Sequence, residues 1–557
     1  MMRLYVVPWL VLLSALAVAP VRAQAPAPAD PCPTGAASGT LEGRNVRAVL
    51  YTTGSVGFGL GTTNGDGYLA PLRGGDAGRS PLYASGLWVG GRVGGEIRTA
   101  ASRYTTFAFR PGRAGADGVA PTPGECASAD RLWTVARSDL DAYARDGTLT
   151  DDLRDWPLHL GAPVLDGDGI DGNYDLASGD QPAIRGDVTT FWAMNDLAAA
   201  RSAPDHLPLG VDVTAEAFAF RSAPFVRSDT SPLAAATAYR YTITNRSGAT
   251  MTDVHVGFFF DTDLGNPTDD YMGVDTTLQM AYTYNADDID EGTNGYGDAP
   301  PAFGIVIVES PSAPDGTPRG LTASAYIVSS GPVNNDPVVP EEYFHRLLGL
   351  WNDGSRMRAY GNALPGNPGP VTTFTYTGDP VTGAFWSERD TDGQGTANPP
   401  GDLRFLVASG PTTLAPGAST TFGLAFVFAQ GDDHLDSVTR LRANAATVRA
   451  LHAAGIFEPS RVGGPSQPPA PPVSAAIRRP APNPFAEATT LTLDGLAGQT
   501  LTVRVLDVLG RTVEEQTVVP AGDGERVALG ASLSAGVYVM RVEGRGFGVT
   551  LPVVKTR

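Results

Sequence analysis

Cysteine occurs twice in these 557 residues, lysine once and histidine six times. The two cysteines, Cys32 and Cys126, form no CxxC pair and no Cys/His cluster, which argues against a structural zinc site. They are a candidate disulfide tying an N-terminal arm to the first domain, with two buried free thiols as the alternative. The histidines (His159, His206, His255, His345, His434, His452) lack ligand-like spacing. There is no HExxH, no GxSxG nucleophile elbow and no P-loop, so none of those chemistries is signalled. A Ser/His/Asp set dispersed in sequence stays open. Positive charge is also scarce. The formal net charge of −19 argues against nucleic acid or an anionic membrane as partner. All basic residues but Lys555 are arginine, as a GC-rich genome or a high-salt habitat would each produce. Beyond the first 23 residues no apolar run approaches the roughly 20 needed to span a bilayer.

What is present begins with an export leader. Arg3 gives a positive start, Leu4 to Val18 an apolar stretch, and Val21-Arg22-Ala23 a small-residue cleavage site, so residues 1–23 read as a signal peptide. A linker over 24–40 follows. Without the leader, which holds Arg3 and Arg22 and no acid, the charge becomes −21. The 67 glycines and 46 prolines make the chain rich in turns without a collagen period. A Pro-rich tract at 461–476 divides an acidic cargo region, 41–460, from a near-neutral module at 477–557. At this length more than one domain is expected, and a second break within the cargo is placed near 195–210.

In the module, Thr489–Leu493, Leu501–Leu506 and Val537–Val542 read as short strands separated by turn signals, a pattern that suits an immunoglobulin-like β-sandwich. Pro482-Asn483-Pro484-Phe485 is followed by ATTLTL, VRVLDVLGRTV and LSAGVYVMRVEG. In order and spacing these segments resemble the type A C-terminal sorting domain of the type IX secretion system. The resemblance implies that Pro482, Asn483, Pro484, Phe485, Gly510, Gly536 and Tyr538 carry the sorting motif. It implies the Sec machinery, the type IX translocon and a sortase-like peptidase as partners, and surface lipopolysaccharide or glycan as an anchor. The expected location is the outer face of the outer membrane or the medium. One departure is Pro552 in the last strand, which places that strand at a sheet edge because proline cannot donate to a ladder.

The cargo reads as mainly β: one or two β-sandwich or jelly-roll units with a C-terminal helix. Tyr239, Tyr241 and Ile243 alternate with polar residues, and Tyr239–Asn245 with Thr252–Phe260 across Arg246–Ala249 is expected to form a hairpin. Asp433 caps a helix running to about Ala454, with Leu435, Val438, Leu441, Val448 and Leu451 on one stripe. NVRAVLYTTG, SGLWVGG and FFFDTDLGNPTDDYMGVD resemble large surface or secreted Bacteroidota proteins of unassigned function.

Acidic loops are the candidate sites. Asp166, Asp168, Asp171 and Asp175 fall within ten residues of Gly-rich chain, with Asp180 beyond. Hard oxygen ligands of this kind suit calcium. The EF-hand pattern fails, because Ile170 stands at position 5, Asp171 at 6 and Ala177 at 12. A second cluster, Asp261, Asp263, Asn266, Asp269, Asp270 and Asp275, follows the Phe258–Phe260 strand end. A solvated acidic turn is the alternative for each. Asp287, Asp288, Asp290 and Glu291, and Asp390, Asp392 and Asp402, are weaker groups. Six tryptophans (Trp88, Trp133, Trp156, Trp192, Trp351, Trp386) line either a sugar cleft or the core. The sequence thus points to a non-enzymatic cargo, with calcium as cofactor, serving adhesion, scaffolding or glycan contact. The alternative is a secreted hydrolase whose catalytic carboxylates lie in the acidic loops.

Overall fold

The computed structural model describes residues 32, 35, 37–59, 67–72, 78–104, 107–198, 207–222, 226, 228–229, 231–462, 477–493, 496, 498, 500–507, 511–522, 524–544 and 547–556. The leader, most of the 24–40 arm, linker residues 463–476 and Gly510 lie outside these residues. Ser38–Thr40, expected to be linker, already belong to a strand, Ser38–Glu42.

Two antiparallel nine-stranded sheets face each other. The first runs Ser38–Glu42, Arg47–Tyr51, Ser55–Val56, Ala84–Val93, Met251–Asp261, Arg404–Leu414, Ala323–Ile327, with Tyr68–Leu69 and Glu96–Ala101 attached. The second runs Asp270–Asp275, Met280–Asn285, Ala302–Glu309, Ser419–Ala429, Ala236–Asn245, Val211–Ala219, Val188–Asn195, Arg110–Pro111, with Trp133–Ala136 attached. The break expected near 195–210 is not a domain boundary: Val188–Asn195 and Val211–Ala219, on either side of it, pair along their length in one sheet.

Alternation explains the core. Tyr239, Tyr241 and Ile243 point inward with Phe422, Leu424, Phe426 and Phe428 of the neighbouring strand, and Phe258 and Phe260 meet them from the first sheet. The intervening Ala238, Ala425 and Val427 face outward, where Val438, Leu441, Ala445 and Val448 of the long helix His434–Ala453 cover them. Asp433 is its N-cap, accepting from the amides of Leu435 and Asp436, and Gly455 (φ +75°) follows its end.

The expected hairpin is not formed. Ala236–Asn245 pairs with Val211–Ala219 and Ser419–Ala429, whereas Met251–Asp261 pairs with Ala84–Val93 and Arg404–Leu414 in the other sheet. The Arg246–Ala249 turn is therefore an arch between sheets. Asn245, fully buried, holds it: its Nδ2 donates to the carbonyls of Ala249 (2.7 Å) and Leu414 (2.8 Å), and its Oδ1 accepts from Ser247 N (2.9 Å). Asn245 heads a formal glycosylation sequon, and this burial removes it from solvent.

Cys32 and Cys126 are joined by a disulfide with Cα atoms 5.8 Å apart, packed beside Ala198. The module is a second, smaller sandwich. Ile477–Ala481, Thr489–Leu493 and Glu525–Leu529 form one sheet, and Thr512–Val518, Leu501–Leu506, Gly536–Gly544 and Phe547–Lys555 the other. The strand carrying Pro552 is at the edge of its sheet. No helix among the described residues is long and apolar enough to cross a membrane.

Candidate functional site

The first acidic loop is organised by its own backbone. Asp166 Oδ1 accepts from the amides of Asp168 (3.0 Å) and Gly169 (2.7 Å), and Asp168 Oδ1 from Ile170 N (2.8 Å). Asp180, 1% exposed, accepts from Gly167 N and Asp175 N, both at 2.8 Å. Those amides hold its carboxyl below the usual range, the Gly167 bond foremost. Oxygens of Asp166, Asp168 and Asp180 come within 4.8 Å of one another. Asp171 and Asp175 do not join them. Asp175 instead caps the short turn Leu176–Ser178, because its carboxylate is directed to the amides of Ala177 and Ser178.

The second cluster divides. Asp261 and Asp263 meet Asp402, which arrives from the chain just ahead of strand Arg404–Leu414, with oxygens within 4.8 Å of one another. Strand pairing sets this up, since Asp261 lies directly opposite Arg404. Asp261 Oδ2 accepts from the Tyr104 hydroxyl at 2.7 Å. Arg404 reaches Asp261 (3.6 Å), Asp336 (3.3 Å) and Asp402 (3.0 Å), and Arg103 reaches Asp336 (2.6 Å). Burial pushes Asp261 up to about 6. Burial, then the charges of Asp261 and Asp402, push Asp263 up to about 8.

Asp269 and Asp270 sit apart from that group, beside Asp290. Asp290 accepts from Asn266 N (3.1 Å) and Tyr296 N (2.7 Å), and Asp270 from Leu264 N (3.0 Å). Asp275 is elsewhere, 3.5 Å from Arg442. Asp288 pairs with His434 at 2.5 Å beside Asp433, a third group with donor atoms close together.

All six tryptophans of the cargo are buried, at 4% exposure or less. They build core, with no Trp-lined cleft. One carboxyl with unusual surroundings gave no signal in the sequence. Glu388 is buried and accepts from Met272 N (2.6 Å) and Asn398 Nδ2 (3.1 Å). Burial raises it from the ordinary 4.5 to about 7. The folded protein therefore keeps a proton that the unfolded chain releases. Its contribution is fully present below pH 4.5 and is lost as pH rises to about 7, a fall of about 3 kcal/mol in stability. Glu388→Gln is expected to flatten that slope in denaturant melts across pH 4–8, whatever it does to absolute stability; an unchanged slope would assign the effect elsewhere.

In the C-terminal module the Pro482–Phe485 segment clasps the last strand. Asn483 Nδ2 donates to the Pro552 carbonyl and its Oδ1 accepts from Val554 N, both at 2.8 Å. Phe485 N donates to the Val554 carbonyl (2.9 Å) and its ring, 2% exposed, enters the core. Pro482 accepts through its carbonyl from the Thr489 hydroxyl (2.7 Å), while Gly536 opens the strand in which the Tyr538 hydroxyl donates back to the Ser534 carbonyl (2.9 Å). Residues 481–554 match the secretion system C-terminal sorting domain. The chain is thus type IX cargo, secreted or displayed at the cell surface. The match is confined to the sorting domain. No curated protein matches the chain. Among solved structures, one titled a polysaccharide lyase is 11% identical over 64% of this chain, with a TM-score of 0.20. This chain spans 36% of that protein, and at such a score the likeness carries no argument.

Proposed function

We propose that the cargo is a non-enzymatic β-sandwich stiffened by calcium, working outside the cell in adhesion, scaffolding or glycan contact. The observation that carries this reading is where the acids gather. Asp166, Asp168 and Asp180 crowd one turn, and Asp261, Asp263 and Asp402 crowd the end of two paired strands. Carboxylates so placed repel one another, and a hard cation cross-links them into fixed loops. The export route supports it, since the cargo is delivered outside the cell. Against the hydrolase alternative weighs the burial of every cargo tryptophan, which leaves no tryptophan-lined cleft beside these acids.

The test is to incubate the purified protein, with and without calcium, with insoluble and soluble polysaccharides. Calcium-dependent retention without release of new reducing ends is the expected result. Release of reducing ends, abolished by neutralising one of these acids, would replace this reading with the hydrolase.

A further inference from the structure

We infer that the Tyr360 and Phe385 rings form a platform that binds a neutral polysaccharide by stacking on its sugar rings. This inference rests on the glycan-contact reading above and gives it a place and a ligand class.

The two rings are held as a pair. Among the described residues, Tyr83, Tyr360 and Phe385 are the aromatic residues exposed at 36% or more, and the last two adjoin. Their ring centroids are 4.6 Å apart with planes tilted by 36°, and Tyr360 meets the buried Trp386 edge to face at 6.3 Å. Single exposed apolar side chains are ordinary, but a fixed pair marks an interaction surface. Tyr360 has φ +79°, a left-handed conformation that is strained for a bulky residue. Three bonds hold it there. Asn367 Nδ2 donates to the Tyr360 carbonyl, Gly361 N to the Thr391 carbonyl (2.8 Å) and Trp386 Nε1 to the Gly361 carbonyl (2.7 Å).

Size, rim and charge select the occupant. At 40% and 39% exposure the two side chains offer on the order of 100–200 Å². A protein partner needs about 800 Å² a side. A sugar ring needs far less, and its apolar C–H face is ringed by hydroxyls, which suits an aromatic face with hydrogen-bonding groups beside it. Such groups are present. The Tyr360 hydroxyl, Asn362 Nδ2 and the Gln394 side chain make no hydrogen bond among the described residues. A Cβ at Gly393 would lie 3.8 Å from the Phe385 ring, so the turn that carries Gln394 stands beside the platform. The carboxylates of that turn are engaged within it: Asp390 accepts from Gly393 N (2.7 Å) and Asp392 from Gln394 N (2.8 Å). Their charge, on a chain of net −19, repels uronate and sulfated chains and favours neutral ones.

Retention of the purified full-length protein, with calcium present, on cellulose, chitin and immobilised alginate tests this. Retention on a neutral polymer and not on alginate is the expected result. Tyr360→Ala and Phe385→Ala are each expected to weaken that binding about five- to tenfold. Phe385→Tyr, which keeps a ring, and Tyr83→Ala, which leaves the pair intact, should bind as the parent does. Urea melts establish that each variant is folded. Neutral-polymer binding that survives both alanine substitutions unchanged overturns the platform and leaves glycan contact standing elsewhere on the cargo. A preference for alginate overturns it too, as does a dimer in sedimentation that both substitutions dissolve, which would assign the rings to a second copy of the chain. No retention on any of the three overturns the platform and the glycan-contact reading together.

Discussion

Lys555→Met is expected to strand the protein inside the cell envelope. Lys555, the sole lysine, is 9% exposed in the last strand. Its Nζ donates to three carbonyls: Glu487 (3.0 Å), Gly530 (2.7 Å) and Ala531 (3.1 Å). It also lies 5.5 Å from the centre of the Phe485 ring. One ammonium thus ties the final strand to two turns and to the Pro482–Phe485 segment. Methionine keeps the apolar stem and removes every donor, leaving three carbonyls without their partner. Charge-assisted bonds of this kind imply a loss of about 2–4 kcal/mol. For a small sandwich that is a large share of its stability. Immunoblots of medium, surface and periplasmic fractions would show the variant depleted from the first two. Normal export of Lys555→Met would mean that the translocon does not depend on this closure.

Phe426→Ala should lower the stability of the cargo by about 3–5 kcal/mol. Its ring lies 4.5 Å from Tyr239, 5.2 Å from Phe260 and 6.1 Å from Phe303, measured between centroids. Tyr239 and Phe303 belong to its own sheet and Phe260 to the opposite one, so the ring joins both layers. A midpoint shift in urea that is no larger than that of Leu451→Ala, on the partly buried flank of the long helix, would show that the core tolerates the cavity.

The sorting domain was the most legible part of the sequence because its strands have one wet face. Thr489–Leu493 alternates strictly between buried and half-buried positions, and Leu501–Leu506 nearly so. The cargo is harder to read where its sheets are covered on both sides. Val188–Asn195 is buried at every position, with Trp192 and Met194 in the sandwich and Phe191 and Ala193 under an outer layer. Alternation then vanishes from the sequence. In Tyr239–Asn245 the alternation was readable and the inward face was right, but alternation carries no information on pairing. A four-residue turn can join partners or arch between sheets, and here the buried Asn245 decides. The acidic loop at Asp166–Asp180 was visible because its members are neighbours. Asp402 was visible only in a separate, weaker group with Asp390 and Asp392. Its meeting with Asp261 and Asp263 depends on strand pairing between distant segments, which no local pattern records.

That pairing also governs when the cargo can exist as a folded body. Arg404–Leu414 lies between Met251–Asp261 and Ala323–Ile327 in one sheet, and Ser419–Ala429 between Ala302–Glu309 and Ala236–Asn245 in the other. A growing chain therefore carries one layer split in two and another lacking the strand that holds Ala323–Ile327 at its edge, until its last cargo strands leave the ribosome. Assembly must wait for nearly the whole cargo, so the sandwich closes late in synthesis rather than growing strand by strand.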